Sequence, residues 1–135
     1  MASSFQLRIV TPGRLVLDAP VREVTAPGTA GEFGVLPDHI TFLGSLEIGE
    51  LRYRSDKGDG RLVVRGGFAE VLGNVMTVLA DAAVFAADID ATAAKADTQA
   101  AVAALANLSP LDPVYANRDA DRRWAEARLA LSGAR

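Results

Sequence analysis

The stretch FAEVLGNVMTVLA, residues 68–80, decides the fold class. Two apolar-rich arms stand either side of Gly73-Asn74, residues that readily take positive φ, and that arrangement predicts a tight β-hairpin. The same period-2 pattern continues outward on the N-terminal side. In FQLRIV, residues 5–10, Phe5, Leu7 and Ile9 alternate with Gln6 and Arg8, which marks a strand with one wet face. RLVLDAPVREVTAP, residues 14–27, supplies two further strand pieces interrupted by Pro20, which must lie at an edge or a bulge. SLEIGELRYR and GRLVVRGG flank the polar connection SDKGDG and predict a second hairpin. Short strands with turn signals and no helical stretch between them imply an antiparallel sandwich or barrel.

The chemistry changes near residue 88. Residues 91–106, ATAAKADTQAAVAALA, hold nine alanines, no glycine and no proline, so summed propensity favours a helix, with Asp90 as its N-cap. NLSPLDP breaks that helix, and Asp112-Pro113 reads as the N-cap and first position of a second one. In the second helix Ala120, Trp124, Ala127 and Leu131 form an apolar stripe, and Asp119 can pair with Arg123 one turn on. The short break predicts an antiparallel helical hairpin. An alanine-lined seam buries little area, so this hairpin should be only weakly held together by itself. The expected organisation is a β domain over residues 1–88 and a helical domain over residues 89–135.

The totals exclude several functions. The chain has 135 residues, half of them hydrophobic, and a net charge of −3 from 14 basic and 17 acidic side chains. Without a basic stripe, nucleic acid is not the expected partner. With no cysteine there is no disulfide, thiolate metal site or cysteine nucleophile. No apolar run approaches the roughly 20 residues that span a bilayer, and MASSFQLRIV turns polar too soon for a signal peptide, so a soluble chain is expected.

GEFGVLPDHI, residues 31–40, is the loop that invites a functional reading, because it holds the chain's single histidine. General-base chemistry needs a group that orients the ring or a nucleophile for it to activate, and His39 has neither in view. Metal binding lacks a second histidine, a cysteine or an EF-hand spacing, so no metal and no cofactor is expected. RGGFAEV, residues 65–71, is followed by a strand and not by the helix a phosphate cradle requires, so a bulge or a close backbone approach is the better account. Arg118 and Arg122, one turn apart, could grip phosphate or carboxylate groups. The plainer reading is a solvated face balanced by Asp119, Asp121 and Glu126. The loop suits a shaped, exposed contact surface, with Glu32 and His39 as polar handles.

LRIVTPGRLV, VTAPGTAGEFGVLPDHITFLGSL, GELRYR, VRGGFAEVLGNVMTVLADAA and DID follow in order across about residues 5 to 90. In these segments the chain resembles the epsilon subunit of bacterial F-type rotary ATP synthases, called delta in mitochondria. The resemblance implies a ten-stranded β-sandwich followed by a helix–turn–helix, and a non-catalytic subunit at the foot of the rotor stalk. Its implied partners are the gamma subunit and the ring of c subunits, on the cytoplasmic face of an energy-coupling bacterial membrane, held there by protein contacts. By the same resemblance Glu32, Phe33, Gly34 and His39 face the polar loops of the ring, where an acidic Glu32 opposite arginine would help fix register. Arg118, Arg122, Arg123 and Arg128 become candidate inhibitory contacts to the alpha/beta catalytic head. The alternative is a nucleotide-sensing module with ATP on the helical hairpin. Some relatives carry Ile-Asp, two residues, then Arg-Ala. Here Ile89-Asp90-Ala91-Thr92 is followed by Ala93-Ala94, which implies weak or absent ATP binding. Pro110 and Pro113 oppose extension into one straight helix, since an interior proline costs about 3 kcal/mol. Whether the helices brake ATP hydrolysis stays open.

Overall fold

A computed structural model describes residues 2–133. The chain divides into two compact units, Met1–Phe85 and Ala86–Arg135. In the first, eight strands run as β1 (Phe5–Thr11), β2 (Arg14–Val21), β3 (Glu23–Gly28), β4 (Gly31–Val35), β5 (Phe42–Arg54), β6 (Gly60–Leu72), β7 (Val75–Leu79) and β8 (Ala83–Phe85). Hydrogen bonds link them in the order β2-β1-β7-β6-β5-β3-β4, with β8 also on β6. Alternation then places Leu7, Ile9, Leu51, Leu62, Met76 and Val78 in one apolar core, each without solvent exposure. This is the expected β-sandwich.

The strand count differs from the ten implied by resemblance. β5 and β6 each run unbroken for 13 residues. The N-terminal part of β6 pairs with β8 and its C-terminal part with β7, so one long strand does the work of two. The change of partner falls where Gly66 and Gly67 have φ of 62° and 104°. A Cβ on residue 67 would stand 1.8 Å from the Leu79 carbonyl oxygen, so the paired glycines mark a close backbone approach. β1 and β7 are parallel, the one exception to an otherwise antiparallel sheet among the described residues.

The local readings of the turns hold. Gly73 and Asn74 join β6 to β7 with φ of 56° and 61°. Residues 55–59 close the β5–β6 hairpin, with the Ser55 hydroxyl donating to the Gly58 carbonyl at 2.7 Å. Pro20 lies on β2, an edge strand.

In the second unit a 3-10 turn (Ala86–Asp88) precedes α1 (Ala91–Ala106) and α2 (Tyr115–Leu131), and the two helices contact each other. Asp90 caps α1 as expected, its Oδ1 accepting from the Ala93 amide at 3.0 Å. The second cap needs correction. α2 begins at Tyr115 with Val114 at its cap and no side-chain cap bond. The Asp112 carboxylate instead accepts from the Val114 amide at 3.0 Å, closing a turn around Pro113 before the helix starts. The expected apolar stripe of α2 is covered along its length, with Leu131 buried and Ala120, Trp124 and Ala127 half-buried, and Ala125 is buried beside it.

Candidate functional site

The loop after β4 is built on a turn-to-turn clasp. Asp38 takes φ 64°, an uncommon conformation for a residue with a Cβ. It is held there by Asn74 of the β6–β7 turn. The Asp38 amide donates to Asn74 Oδ1 at 2.8 Å, and Asn74 Nδ2 donates to Asp38 Oδ1 at 3.3 Å. The Asp38 carboxylate is thereby directed at the turn and away from the neighbouring imidazole. His39 Nδ1 lies 2.7 Å from the Ile40 carbonyl oxygen, which can only accept, so that nitrogen carries a proton. Among the described residues His39 has no carboxylate to orient it and no nucleophile to activate.

The four loop residues singled out from sequence do different jobs. Phe33 turns inward, packs against the core and meets Phe42 in a tilted pair with ring centroids 5.0 Å apart. Its ring occupies the space beside Gly28, where a Cβ would sit 2.9 Å from it. Glu32 points outward and reaches Arg52 at 3.4 Å. At Gly34 a Cβ would meet only the Val24 carbonyl oxygen, at an ordinary 3.9 Å, and His39 is half-buried. Glu32 and Phe33 line an open groove of about 560 Å³ with Gly28, Thr29, Phe42 and Ser45.

Glu32 also belongs to a charge ladder. Arg52 bonds Glu50 at 2.9 Å, and Arg61, opposite Arg52 on β6, bonds the same carboxylate at 2.6 Å. Partial burial pushes Glu50 up, but the hydrogen bonds from Arg52 and Arg61 outweigh it and leave the carboxyl below its ordinary value.

A larger surface escaped the sequence reading. On the outer face of the sheet, register places Leu15 of β2 beside Val10 of β1, Leu79 of β7 and Phe68 of β6 in one row. Leu15, Leu79 and Phe68 are each more than half exposed, as are Leu43 and Leu72 nearby. One-sided strands should be polar at outward positions, and these are not. The signal was present in sequence as apolar residues on both parities of FAEVL, but only register gathers them into one patch.

The α2 arginines are engaged within their own unit. Arg122 grips Asp119 at 2.6 Å and Glu126 at 2.9 Å, and the hydrogen bond to Asp119 chiefly raises its guanidinium above the ordinary value. Arg118 and Arg123 make longer pairs, to Asp121 at 3.6 Å and Asp119 at 3.5 Å. Arg128 crosses to Asp97 of α1 at 3.0 Å and lies over the Trp124 ring, 5.3 Å from its centroid. Ala93 is exposed, whereas Ala94 is fully buried. Among the described residues no three His, Asp or Glu side chains are grouped to hold a metal ion, and no helix is long and apolar enough to cross a membrane.

A sandwich whose outer strand positions carry exposed apolar side chains, followed by a two-helix unit, has the makeup of an accessory protein more than of an enzyme. Residues 4–86 match the family model described as the ATP synthase, Delta/Epsilon chain, beta-sandwich domain. The ATP synthase epsilon chain of Nitratidesulfovibrio vulgaris (strain DP4) is 44% identical over 133 residues, covering 98% of each chain. That of Geotalea uraniireducens is 41% identical, covering 98% of this chain and 96% of the relative. A solved structure of the Euglena gracilis mitochondrial ATP synthase, comprising OSCP, F1 and c-ring, contains a chain matching 96% of this one. Its TM-score is 0.82 at 25% identity, with 82% of that chain covered. The chain belongs to the ATP synthase delta/epsilon family. It is an accessory subunit of the F-type ATP synthase and is not catalytic by itself.

Proposed function

We propose that this chain is a central-stalk subunit that couples the gamma subunit to the c-ring of a proton-translocating ATP synthase. The observation that carries this reading is the uncovered row Leu15, Val10, Leu79 and Phe68 on the sandwich. Apolar side chains at outward strand positions gain free energy only when a partner covers them, at about 25 cal/mol per Å². That face is assigned to gamma. The loop bearing Glu32, Gly34 and His39 is assigned to the ring, with Phe33 beneath it as support. The complex holds the subunit peripherally on the cytoplasmic face of the bacterial inner membrane, through protein contacts alone.

The test replaces Leu79 by Asp in the assembled synthase. The variant is expected to fold, since Leu79 is outside the core, and to be lost from the purified complex together with proton-driven ATP synthesis. Normal retention and synthesis would refute the assignment.

A narrower proposal concerns the helices as a brake on ATP hydrolysis. Arg118 supports it best, because its 3.6 Å pair with Asp121 is long and its side chain is 55% exposed, so it can exchange partners. Arg122 and Arg128 must first give up short bonds. The nucleotide-sensing alternative has weaker support. Ala93 supplies no cation, and Asp90 is already used as the α1 cap.

A further inference from the structure

Glu70 lies on the same outer face as the apolar row. On β6 it sits between Phe68 and Leu72, two residues away on either side, with Leu43 opposite on β5 and Thr77 opposite on β7. Leu43, Phe68 and Leu72 are each more than half exposed. Among the described residues the Glu70 side chain makes no hydrogen bond and no ion pair. Arg8, in the same row beyond Thr77, is paired with Asp18 at 3.6 Å. The face is therefore an apolar surface with one uncompensated negative charge set into it.

Docking on such a face removes water from the carboxylate along with the leucines around it. A carboxylate buried without a partner costs several kcal/mol, enough to cancel much of the apolar gain. A partner that covers the row must therefore bring a cation to this position. We infer that Glu70 is the specificity-determining charge of this face, and that the partner is an apolar surface carrying one arginine or lysine placed against it. The inference rests on the assignment of this face to the gamma subunit and adds the chemistry gamma must present there. A cation set in an apolar ring also fixes register, because a shift along the strand would leave two charges buried and unpaired.

The experiment measures binding of the full-length chain to the catalytic head assembled with its gamma subunit but lacking this chain, at low and high salt. Glu70→Leu is expected to weaken binding at least about tenfold and to flatten its salt dependence, with Glu70→Lys weaker still. A solvated bystander would behave oppositely, since added apolar area would leave binding unchanged or tighten it. Leu79→Asp separates the two readings. If Glu70→Leu binds as the parent does while Leu79→Asp does not bind, the face stands and the role of Glu70 is overturned. If Leu79→Asp binds normally, the face itself is wrong and the inference falls with it. Thermal unfolding of each variant, unchanged from the parent, establishes that loss of binding is not loss of fold.

Discussion

At residue 67 the backbones of β6 and β7 approach so closely that a side chain has nowhere to go. A Cβ there would meet the Leu79 carbonyl oxygen at 1.8 Å, and the φ of 104° is itself costly for any residue with a Cβ. Gly67→Ala is expected to destabilise the sandwich by about 3 kcal/mol, read from the urea midpoint. Gly73, also at positive φ, has open space around it, so alanine there should cost less. Glu50 gives a pH prediction at the same scale. Its folded-state value lies below the ordinary 4.5, so its contribution to stability is present above that value. It is lost as pH falls through the lower folded value, because the unfolded chain binds the proton more readily. Glu50→Gln should therefore flatten part of the loss of stability on acidification below about pH 4.5, measured by denaturant unfolding across that range. Arg52 and Arg61 are each about half exposed, so solvent screening keeps the effect modest.

The helical hairpin shows how an element can be legible while its fastening is not. On α1 the buried or half-buried positions are Ala91, Ala94, Thr98, Ala101 and Leu105, spaced alternately three and four apart as one helical face requires. Most of them are alanine or threonine, so packing alone holds the helices weakly, as composition suggested. What sequence did not disclose is that Arg128 fastens the two helices. It reaches Asp97 at 3.0 Å and lies over the Trp124 ring. Arg128→Ala should cost about 1 kcal/mol of hairpin stability. Hydrogen exchange would show it as several-fold faster exchange of α1 amides, with the sandwich amides unaffected. Asp97→Asn should reproduce part of that effect if the ion pair is responsible.

At the scale of the whole molecule, the two units differ in how they are held. Every member of the main core cluster lies between Phe5 and Ala80. A chain ending at Asp88 therefore keeps the complete core, and is expected to unfold in one cooperative transition. In the assembled synthase the same truncation should raise ATP hydrolysis several-fold while synthesis persists. Unchanged hydrolysis would refute the brake and leave coupling as the chain's task.

The sequence by itself determined the features that near neighbours control. Gly73-Asn74 turns because those two residues tolerate positive φ, and α1 forms because its alanines favour helix and Asp90 satisfies a free amide of its first turn. The tertiary structure decided what depends on distant pairing. Gln6 lies beside Val75 in the parallel ladder, a neighbour no local pattern names. That ladder brings Leu15, Val10, Leu79 and Phe68 together, and the β5–β6 pairing sets Glu70 between Phe68 and Leu72 with Leu43 opposite. Local preference acts over a few residues, whereas a binding face is assembled by strand order and register, which only the folded chain possesses.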